Sequence, residues 1–289
     1  MEYYVVDAFT EQPGGGNAAG VVLLGEKRFP DVQIMQEIAA ELRFSETAFV
    51  QQNAPCEFST RYFTPVGEVD LCGHATIAAF GLMLQLGILF QGEKCLNHTL
   101  AGDLQIVAGN PVMMQMAIPR RIVTLNDKHL LKRICDIFGI IPEQISHSPE
   151  IITTGLPDII LPLCDLEALQ SLQPDMAALS QLSEELHVVG VHAFAMDEGD
   201  YTAHVRNFAP RYGIDEESAT GTSNAALTYF LWQHHLITIP FECHFIQGEA
   251  MGKPSIITTV LTEKDRYCEV VVGGRCYIRE KKRWHDTKH

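Results

Sequence analysis

The sequence predicts an α+β protein of two similar domains, each a curved mixed or antiparallel sheet around a central apolar helix. Strand-like segments outnumber helical ones in both halves, consecutive strands often lack an intervening helix, and one pattern of motifs occurs twice. At about 150 residues per domain, a chain of 289 residues suggests two domains. We expect residues 1–118 to form the N-terminal domain and residues 119–289 the C-terminal domain, and we leave open whether the last strand returns to the N-terminal domain.

The first half begins with strands and an amphipathic helix. β-Branched and aromatic residues favour a strand over Tyr3–Phe9, and the glycines after Pro13 force a turn before the apolar strand Gly20–Leu24. Apolar side chains recur at helical spacing between Asp31 and Leu42. The remaining elements expected in this half are strands at Thr47–Gln51 and Glu57–Phe63, an apolar helix at Gly73–Leu89, and strands near Leu104–Ala108 and Val112–Ile118.

The second half repeats this mixture after a junction predicted at Pro119-Arg120-Arg121. The expected elements are helices at Lys128–Phe138, Asp175–His187 and Gly221–His235, and strands near Ile151–Thr154, Ile159–Leu163, Val188–Met196, Tyr201–Phe208, Glu242–Gln247, Ser255–Leu261 and Tyr267–Val272. The helices that begin at Gly73 and Gly221 are apolar around most of their circumference. This composition predicts burial on all sides, which a curved sheet wrapped around each helix would provide.

Composition excludes several function classes. The formal charge is −15, so a phosphate backbone would be repelled and nucleic acid is not an expected partner. The basic run Arg279-Glu280-Lys281-Lys282-Arg283 is interpreted as a solvated tail. The eight cysteines are scattered without a C-x-x-C pair, which favours the reducing cytoplasm over a disulfide framework or structural zinc site. The longest apolar stretch, Ala75–Leu89, is shorter than the ~20 residues that a bilayer requires, so no membrane association is expected.

An internal duplication is the most informative pattern in the chain. Arg61-Tyr-Phe-Thr-Pro65 precedes Cys72-Gly-His-Ala-Thr-Ile-Ala-Ala, and Arg206-Asn-Phe-Ala-Pro210 precedes Thr220-Gly-Thr-Ser-Asn-Ala-Ala. In each half, a strand leads through an acidic loop to a glycine that opens an apolar helix. Duplication predicts domains related by a pseudo-twofold axis. If the two helix starts face each other across an interdomain cleft, their N–H groups and positive dipole ends would bind an anion such as a substrate carboxylate.

Three polar side chains in the first half are candidates for chemistry, and each has a structural alternative. Glu46 lies at the start of a strand beside an apolar segment, and is either a desolvated carboxylate suited to proton transfer or a solvent-facing or helix-capping residue. Cys72 is either an activated thiol at a helix N-terminus or an inert core residue. His74, in the first helical turn, either binds a ligand or fills a polar corner.

An acidic run precedes the corresponding helix of the second half. Asp215, Glu216 and Glu217 are explained by the helix dipole alone, or one of them accepts a hydrogen bond from a substrate hydroxyl or amine. In the second case, Thr222 and the local N–H groups would bind the carboxylate of the substrate. The residues alone do not decide between these interpretations.

Taken together, these motifs resemble the PhzF family, named for a phenazine-biosynthesis isomerase and built on the diaminopimelate epimerase fold. The resemblance covers nearly the whole chain. The matching segments are Asp7-Ala-Phe-Thr, Gly16-Asn17, Ser45-Glu-Thr-Ala-Phe49, Phe63-Thr-Pro-x-x-Glu-Val69, Cys72-Gly-His-Ala-Thr76, Phe208-Ala-Pro210, Ala219-Thr-Gly221 and Gln247-Gly-Glu-Ala-Met-Gly252.

The resemblance implies isomerisation of a small carboxylated metabolite without a metal or other cofactor. Glu46 would be the general acid/base that moves a proton within the substrate in the interdomain cleft. The position of Cys72 at a helix N-terminus makes its thiol a candidate secondary base. The substrate-binding residues implied are Asn17, Gly73, His74, Glu217, Gly221 and Thr222. A homodimer is the usual state in the family.

The chain departs from the family pattern at two positions. Glu216-Glu217-Ser218 replaces the usual Glu-Asp-Pro or Glu-Asp-Ala, so the acid is one methylene longer. Epimerases of this fold use cysteines at both helix starts, whereas Thr220 stands at the second position here, so a two-thiol racemase is not expected. Two alternatives stay open: a Cys72-dependent amino-acid racemase or epimerase, and a catalytically silent metabolite-binding protein.

Overall fold

The computed structural model describes residues 1–239 and 241–284. The chain forms two compact units. The first consists of Met1–Gln115 together with the C-terminal segment from Gly273, and the second is Met116–Val272. The sequence placed the junction at 118/119, and the structure divides the chain slightly earlier, after Gln115.

The elements follow one another in a repeated order. The first unit contains β1 (Glu2–Ala8), β2 (Asn17–Gly25), α1 (Val32–Leu42), β3 (Thr47–Ala54), β4 (Glu57–Phe63), β5 (Glu68–Val69), α2 (Gly73–Gln85), β6 (Lys94–Thr99), β7 (Gly102–Val107) and β8 (Val112–Gln115). The second contains β9 (Arg120–Thr124), α3 (Lys128–Phe138), β10 (Glu150–Thr153), β11 (Pro157–Pro162), α4 (Leu166–Gln170), α5 (Met176–Glu185), β12 (Val191–Met196), β13 (Ala203–Ala209), β14 (Ile214–Glu217), α6 (Gly221–Gln233), β15 (Glu242–Gln247) and β16 (Ser255–Glu263). β17 (Cys268–Gly274) crosses the boundary, and β18 (Cys276–Arg283) belongs to the first unit.

The first unit is a mixed sheet around the buried helix α2. Its strands pair in the order β18, β1, β2, β3, β4, β6, β7 and β8, with parallel pairs between β2 and β3 and between β4 and β6. α2 contacts both β18 and β8, which lie at opposite ends of this order, so the sheet curves around the helix. Every residue of α2 from His74 to Met83 is buried, as its all-round apolar character predicts.

The second unit repeats this topology strand by strand. Its strands pair in the order β9, β10, β11, β12, β13, β15 and β16, with parallel pairs between β11 and β12 and between β13 and β15. The helix α6 contacts β10, β11, β12 and β16. Strands β1 to β7 therefore correspond to β10 to β16, and α2 corresponds to α6. This correspondence explains why the Arg-x-Phe-x-Pro motif occurs twice.

Several predicted element boundaries differ from the structure. The basic run at 279–283 is not a solvated tail, because its backbone forms most of β18 and residues 280–283 pair antiparallel with Glu2 to Val5 of β1. Its charges are paired as well, and Lys281 lies 2.8 Å from Glu2. The helix predicted to reach Leu89 ends at Gln85, since Gly87 has a positive φ of 71° and terminates it.

Within residues 1–239 and 241–284, no helix is both long and apolar enough to cross a membrane.

Candidate active site

An acid, an imidazole and a thiol meet at the start of α2 in the first unit. Oε2 of Glu46 lies 3.4 Å from Nε2 of His74, and Sγ of Cys72 lies 3.3 Å from Nδ1 of the same ring. Oγ of Ser45 is 3.2 Å from Nε2. His74 and Cys72 are buried, whereas the Glu46 side chain is 21% exposed. The carboxylate is therefore the member of the cluster most accessible to a small molecule.

The protonation state of His74 determines how this cluster can move a proton. Burial lowers the pKa of His74, and the nearby Glu46 carboxylate opposes this effect. The ring is therefore neutral at neutral pH, with one N–H donor and one acceptor nitrogen. An ionised Glu46 favours the proton on Nε2, with Nδ1 accepting from the Cys72 thiol. A protonated Glu46 favours the other tautomer, in which Nε2 is the acceptor.

Backbone pairing and a buried polar chain hold the cluster in place. The backbone carbonyl of Glu46 accepts a hydrogen bond from the Gly20 N–H at 3.2 Å, which fixes the entry into β3. The Thr76 hydroxyl donates to the Cys72 carbonyl at 2.7 Å, and Thr76 Oγ1 lies 2.6 Å from the Tyr62 hydroxyl. Asn97 Nδ2 donates to Tyr62 in turn. These buried contacts fix the position of the helix start.

The other two predicted residues of the first unit lie at element starts. Gly73 is the first residue of α2, and a Cβ built there would meet only Met114 Cε at 3.6 Å, an ordinary contact. Packing alone therefore does not require glycine at 73, whereas close approach of a ligand to the backbone would. Asn17 is the first residue of β2 and pairs with Ala8. Its role in substrate binding stays a prediction.

The second unit has the corresponding helix start at α6. The Thr220 hydroxyl, at the helix N-cap, donates to Oε2 of Glu217 at 3.0 Å. Gly221 is buried and Thr222 is half-buried, both in the first turn of α6. The Thr222 carbonyl accepts from the Thr154 hydroxyl at 2.9 Å. The structure thus brings Glu217 beside the start of α6, as the motif predicts.

The structure also separates the roles of the two adjacent glutamates. Glu216 accepts two hydrogen bonds from Arg206, at 3.0 and 2.9 Å, while Glu217 faces Thr220. Alternate residues of a strand point to opposite faces, which accounts for the difference. In the first unit, Arg61 forms the equivalent pair with Glu68. The repeated Arg-x-Phe-x-Pro motif therefore carries a structural ion pair.

We predict that Glu216→Gln destabilises the protein while Asp215→Asn does not. Arg206 and Glu216 are 14% and 15% exposed, so removal of the carboxylate charge leaves a largely buried guanidinium uncompensated. We expect the free energy of unfolding to fall by about 2 kcal/mol. Asp215 is exposed, and its variant should change stability by less than about 0.5 kcal/mol in urea denaturation. Equal stability of the two variants would contradict the structural assignment of Glu216.

The cluster at α2 has a geometry that could also hold a metal ion. One ligand atom each from Glu46, Cys72 and His74 lies within 4.8 Å of the others, and they form the one such group in the described part of the chain. Glu46 and Cys72 each contact the imidazole of His74 directly. Measuring activity with and without a chelator distinguishes metal binding by these residues from proton transfer between them.

Two polar residues at these sites were not predicted individually. Ser45 contacts Nε2 of His74, and Gln247 bonds to both Glu217 and Thr220. Each lies in a motif noted in the sequence, but Gln247 is separated from its partners by 27 to 30 residues. A single sequence contains no signal for such distant contacts.

Solved structures place this architecture in a known class. A Bacillus anthracis phenazine biosynthesis protein of the PhzF family superposes with a TM-score of 0.87, at 23% identity and 98% coverage of both chains. A probable proline racemase from Agrobacterium radiobacter superposes with a TM-score of 0.63 at 12% identity, covering 98% of this chain and 92% of the other. The protein thus has the diaminopimelate epimerase-like α+β fold, as the sequence predicts.

The sequence comparisons then specify the family. The model of the PhzC-PhzF family, described as phenazine biosynthesis-like protein, matches residues 6–281. A trans-2,3-dihydro-3-hydroxyanthranilate isomerase from Pseudomonas chlororaphis is 30% identical over 263 residues, or 88% of each chain. The chain belongs to the PhzF family and is an isomerase.

Proposed function

We propose that this isomerase moves a proton within a small carboxylated metabolite, with Glu46 as general acid/base and without a cofactor. The observation that supports this proposal best is the contact of 3.4 Å between the partly exposed Glu46 carboxylate and the buried His74 ring. A carboxylate of this kind can reach a substrate while remaining connected to a second proton acceptor. The family resemblance supports the same assignment.

The proposed reaction has two proton transfers and no net change in composition. Glu46 removes a proton from a carbon that is acidified by conjugation, and the electrons of the broken C–H bond move into the conjugated system. A second carbon of the same substrate then takes a proton from Glu46, directly or through Nε2 of His74. Glu46 is ionised again at the end of the cycle, so no oxidant or reductant is consumed.

Residues at both helix starts are proposed to bind the substrate. Helix N-termini favour carboxylates because their N–H groups and dipole are positive. In the first unit we assign this role to Asn17, Gly73 and His74. In the second unit, Gly221 and Thr222 would bind a carboxylate, and Glu217 would accept a hydrogen bond from a hydroxyl or amine. We also propose that the protein is a homodimer, which light scattering would measure.

A racemase or epimerase that depends on Cys72 is the second candidate, since its thiol lies 3.3 Å from Nδ1 of His74. The corresponding position of the second unit is Thr220, whose hydroxyl donates to Glu217 and is not a thiol. Of the two thiols that a two-thiol mechanism requires at these positions, only Cys72 is present. The third candidate is a catalytically silent protein, which would bind a metabolite without converting it.

The proposed function is tested by product formation from trans-2,3-dihydro-3-hydroxyanthranilate, the compound in the name of the Pseudomonas relative. We expect the wild type to convert it, as followed by proton NMR, and Cys72→Ser to retain most of that rate. Treatment with EDTA should leave the rate unchanged. A rate abolished by Cys72→Ser, with Glu46→Gln fully active, would support the Cys72-dependent candidate instead.

Failure to convert this one compound has a defined meaning. If the wild type is inactive on it, the same assay is run with other small cyclic carboxylates, in each case with Glu46→Gln as the matched control. A product that forms equally with both proteins overturns the proposal. Binding of such compounds without any turnover dependent on Glu46 would favour the silent metabolite-binding protein.

A further inference from the structure

A buried glutamine in the second unit holds Glu217, which we propose to bind substrate, and the neighbouring Thr220. Gln247, the last residue of β15, is fully buried, and both ends of its amide are engaged. Its Oε1 accepts from the Thr220 N–H at 3.2 Å and from Asn224 Nδ2 at 2.9 Å. Its Nε2 donates to the Glu217 carbonyl at 2.7 Å and to Thr220 Oγ1 at 3.1 Å.

These contacts fix the direction of hydrogen bonding at the start of α6. Nε2 of Gln247 can only donate, so Oγ1 of Thr220 is the acceptor in that bond. The proton of the Thr220 hydroxyl is then directed to Oε2 of Glu217, 3.0 Å away. A single amide thus orients both the hydroxyl and, through it, the carboxylate.

A series of hydrogen bonds with a consistent donor-to-acceptor direction continues from Gln247 into the core of the unit. Oδ1 of Asn224 lies 3.3 Å from Nε2 of His192, and Nδ1 of His192 lies 3.1 Å from Nδ2 of Asn207. Burial lowers the pKa of His192 to about 3, so the ring is neutral at neutral pH. A neutral ring has one donor and one acceptor, so Nε2 of His192 can donate to Asn224 while Nδ1 accepts from Asn207. The hydrogen bonds of Asn207, His192 and Asn224 therefore support the orientation in which Oε1 of Gln247 faces Asn224.

We propose that Gln247 is a positioning residue, which fixes the Thr220 hydroxyl and, through it, holds the Glu217 carboxylate in the orientation needed to bind substrate. This inference rests on the proposed function, because it takes Glu217 to be a substrate-binding residue. Gln247 does not itself touch the reacting atoms. Its loss should therefore weaken substrate binding more than it slows the chemical step.

Two variants and one control test this role. In Gln247→Met the side chain keeps similar length but loses every hydrogen bond, and we expect KM to rise about tenfold with kcat within about threefold of wild type. The control is Thr259→Val, which removes a buried hydroxyl contact with Thr228 elsewhere in the unit. It should leave KM unchanged. An equal rise of KM in both variants would show that general destabilisation, and not positioning, is responsible.

Gln247→Glu adds a pH-dependent readout that a purely structural role would not produce. A protonated glutamic acid can still donate to Thr220, whereas an ionised one cannot. We expect the ratio of its KM to that of the wild type to increase as the pH rises. A ratio that is constant between pH 5 and pH 9, together with a normal KM in Gln247→Met, would overturn the proposal.

Hydrogen exchange of the full chain separates this inference from the proposed function. The Thr220 N–H donates to Gln247, so its exchange should be faster in Gln247→Met than in wild type or Thr259→Val, without any substrate. Unchanged exchange at Thr220 would overturn the positioning role. If exchange at Thr220 is faster in Gln247→Met but the wild type shows no turnover dependent on Glu46, the contact between Gln247 and Thr220 is supported and the proposed function is contradicted.

Discussion

Glu46→Gln is expected to lower kcat/KM about 10²- to 10⁴-fold, the range typical for removal of a positioned general acid/base. The amide has nearly the same size as the carboxylate, but it cannot remove a proton from carbon. The contact with Nε2 of His74 can still be made by the amide oxygen, so the fold should be retained. Steady-state kinetics with circular dichroism of both proteins measure this effect.

Glu46→Asp is the matched control for this prediction. It retains a carboxylate but withdraws it by one methylene, so it should be impaired less than Glu46→Gln. Because chemistry would be slowed rather than binding, we expect the loss mainly in kcat. Activity of Glu46→Gln within about threefold of wild type would exclude Glu46 as the general base.

His74→Gln is expected to lower kcat about 10²-fold, because it removes the second proton acceptor beside Glu46. Burial lowers the pKa of His74 below the ordinary value of 6.5, so the ring becomes protonated only in more acidic solution. Protonation of His74 should therefore not reduce the activity of the wild type above pH 6.5. Any loss of activity caused by protonation of His74 should begin below pH 6.5 and should be absent from the pH profile of His74→Gln.

The pKa of His74 can also be measured without substrate. The Glu46 carboxylate opposes the effect of burial, so its neutralisation in Glu46→Gln should lower the pKa of His74 further. An NMR titration of the imidazole Cε1 proton in both proteins measures this change. A His74 pKa above 6.5 in the wild type, or a higher value in Glu46→Gln, would contradict the proposed electrostatics of the cluster.

The duplicated architecture was predictable because its signals are local. Each Arg-x-Phe-x-Pro strand, its acidic loop and the helix that follows lie within one short segment, and each helix is apolar around most of its circumference. The pairing of β18 with β1 was not predictable from the same kind of pattern. The two strands are more than 260 residues apart, and the exposed charges of 279–283 give no sign that residues 280–283 pair with β1.

The candidate site was predictable in part for the same reason. Cys72, Gly73 and His74 share one helix start, and Glu46 was recognised by its motif. The different roles of Glu216 and Glu217 depend on which face of β14 each occupies, and the acidic run does not reveal this register. The contacts of Gln247 depend on β15 lying beside β13, a parallel pairing that no local pattern indicates.

Deuterium incorporation tests the central role of Glu46 most directly. The wild type and Glu46→Gln are incubated in D₂O with trans-2,3-dihydro-3-hydroxyanthranilate, and the product is examined by mass spectrometry and proton NMR. We expect the wild type to form product with at most one deuterium, at the new C–H bond, and Glu46→Gln to form neither product nor labelled substrate over the same time. Product labelled equally by both proteins would contradict the account.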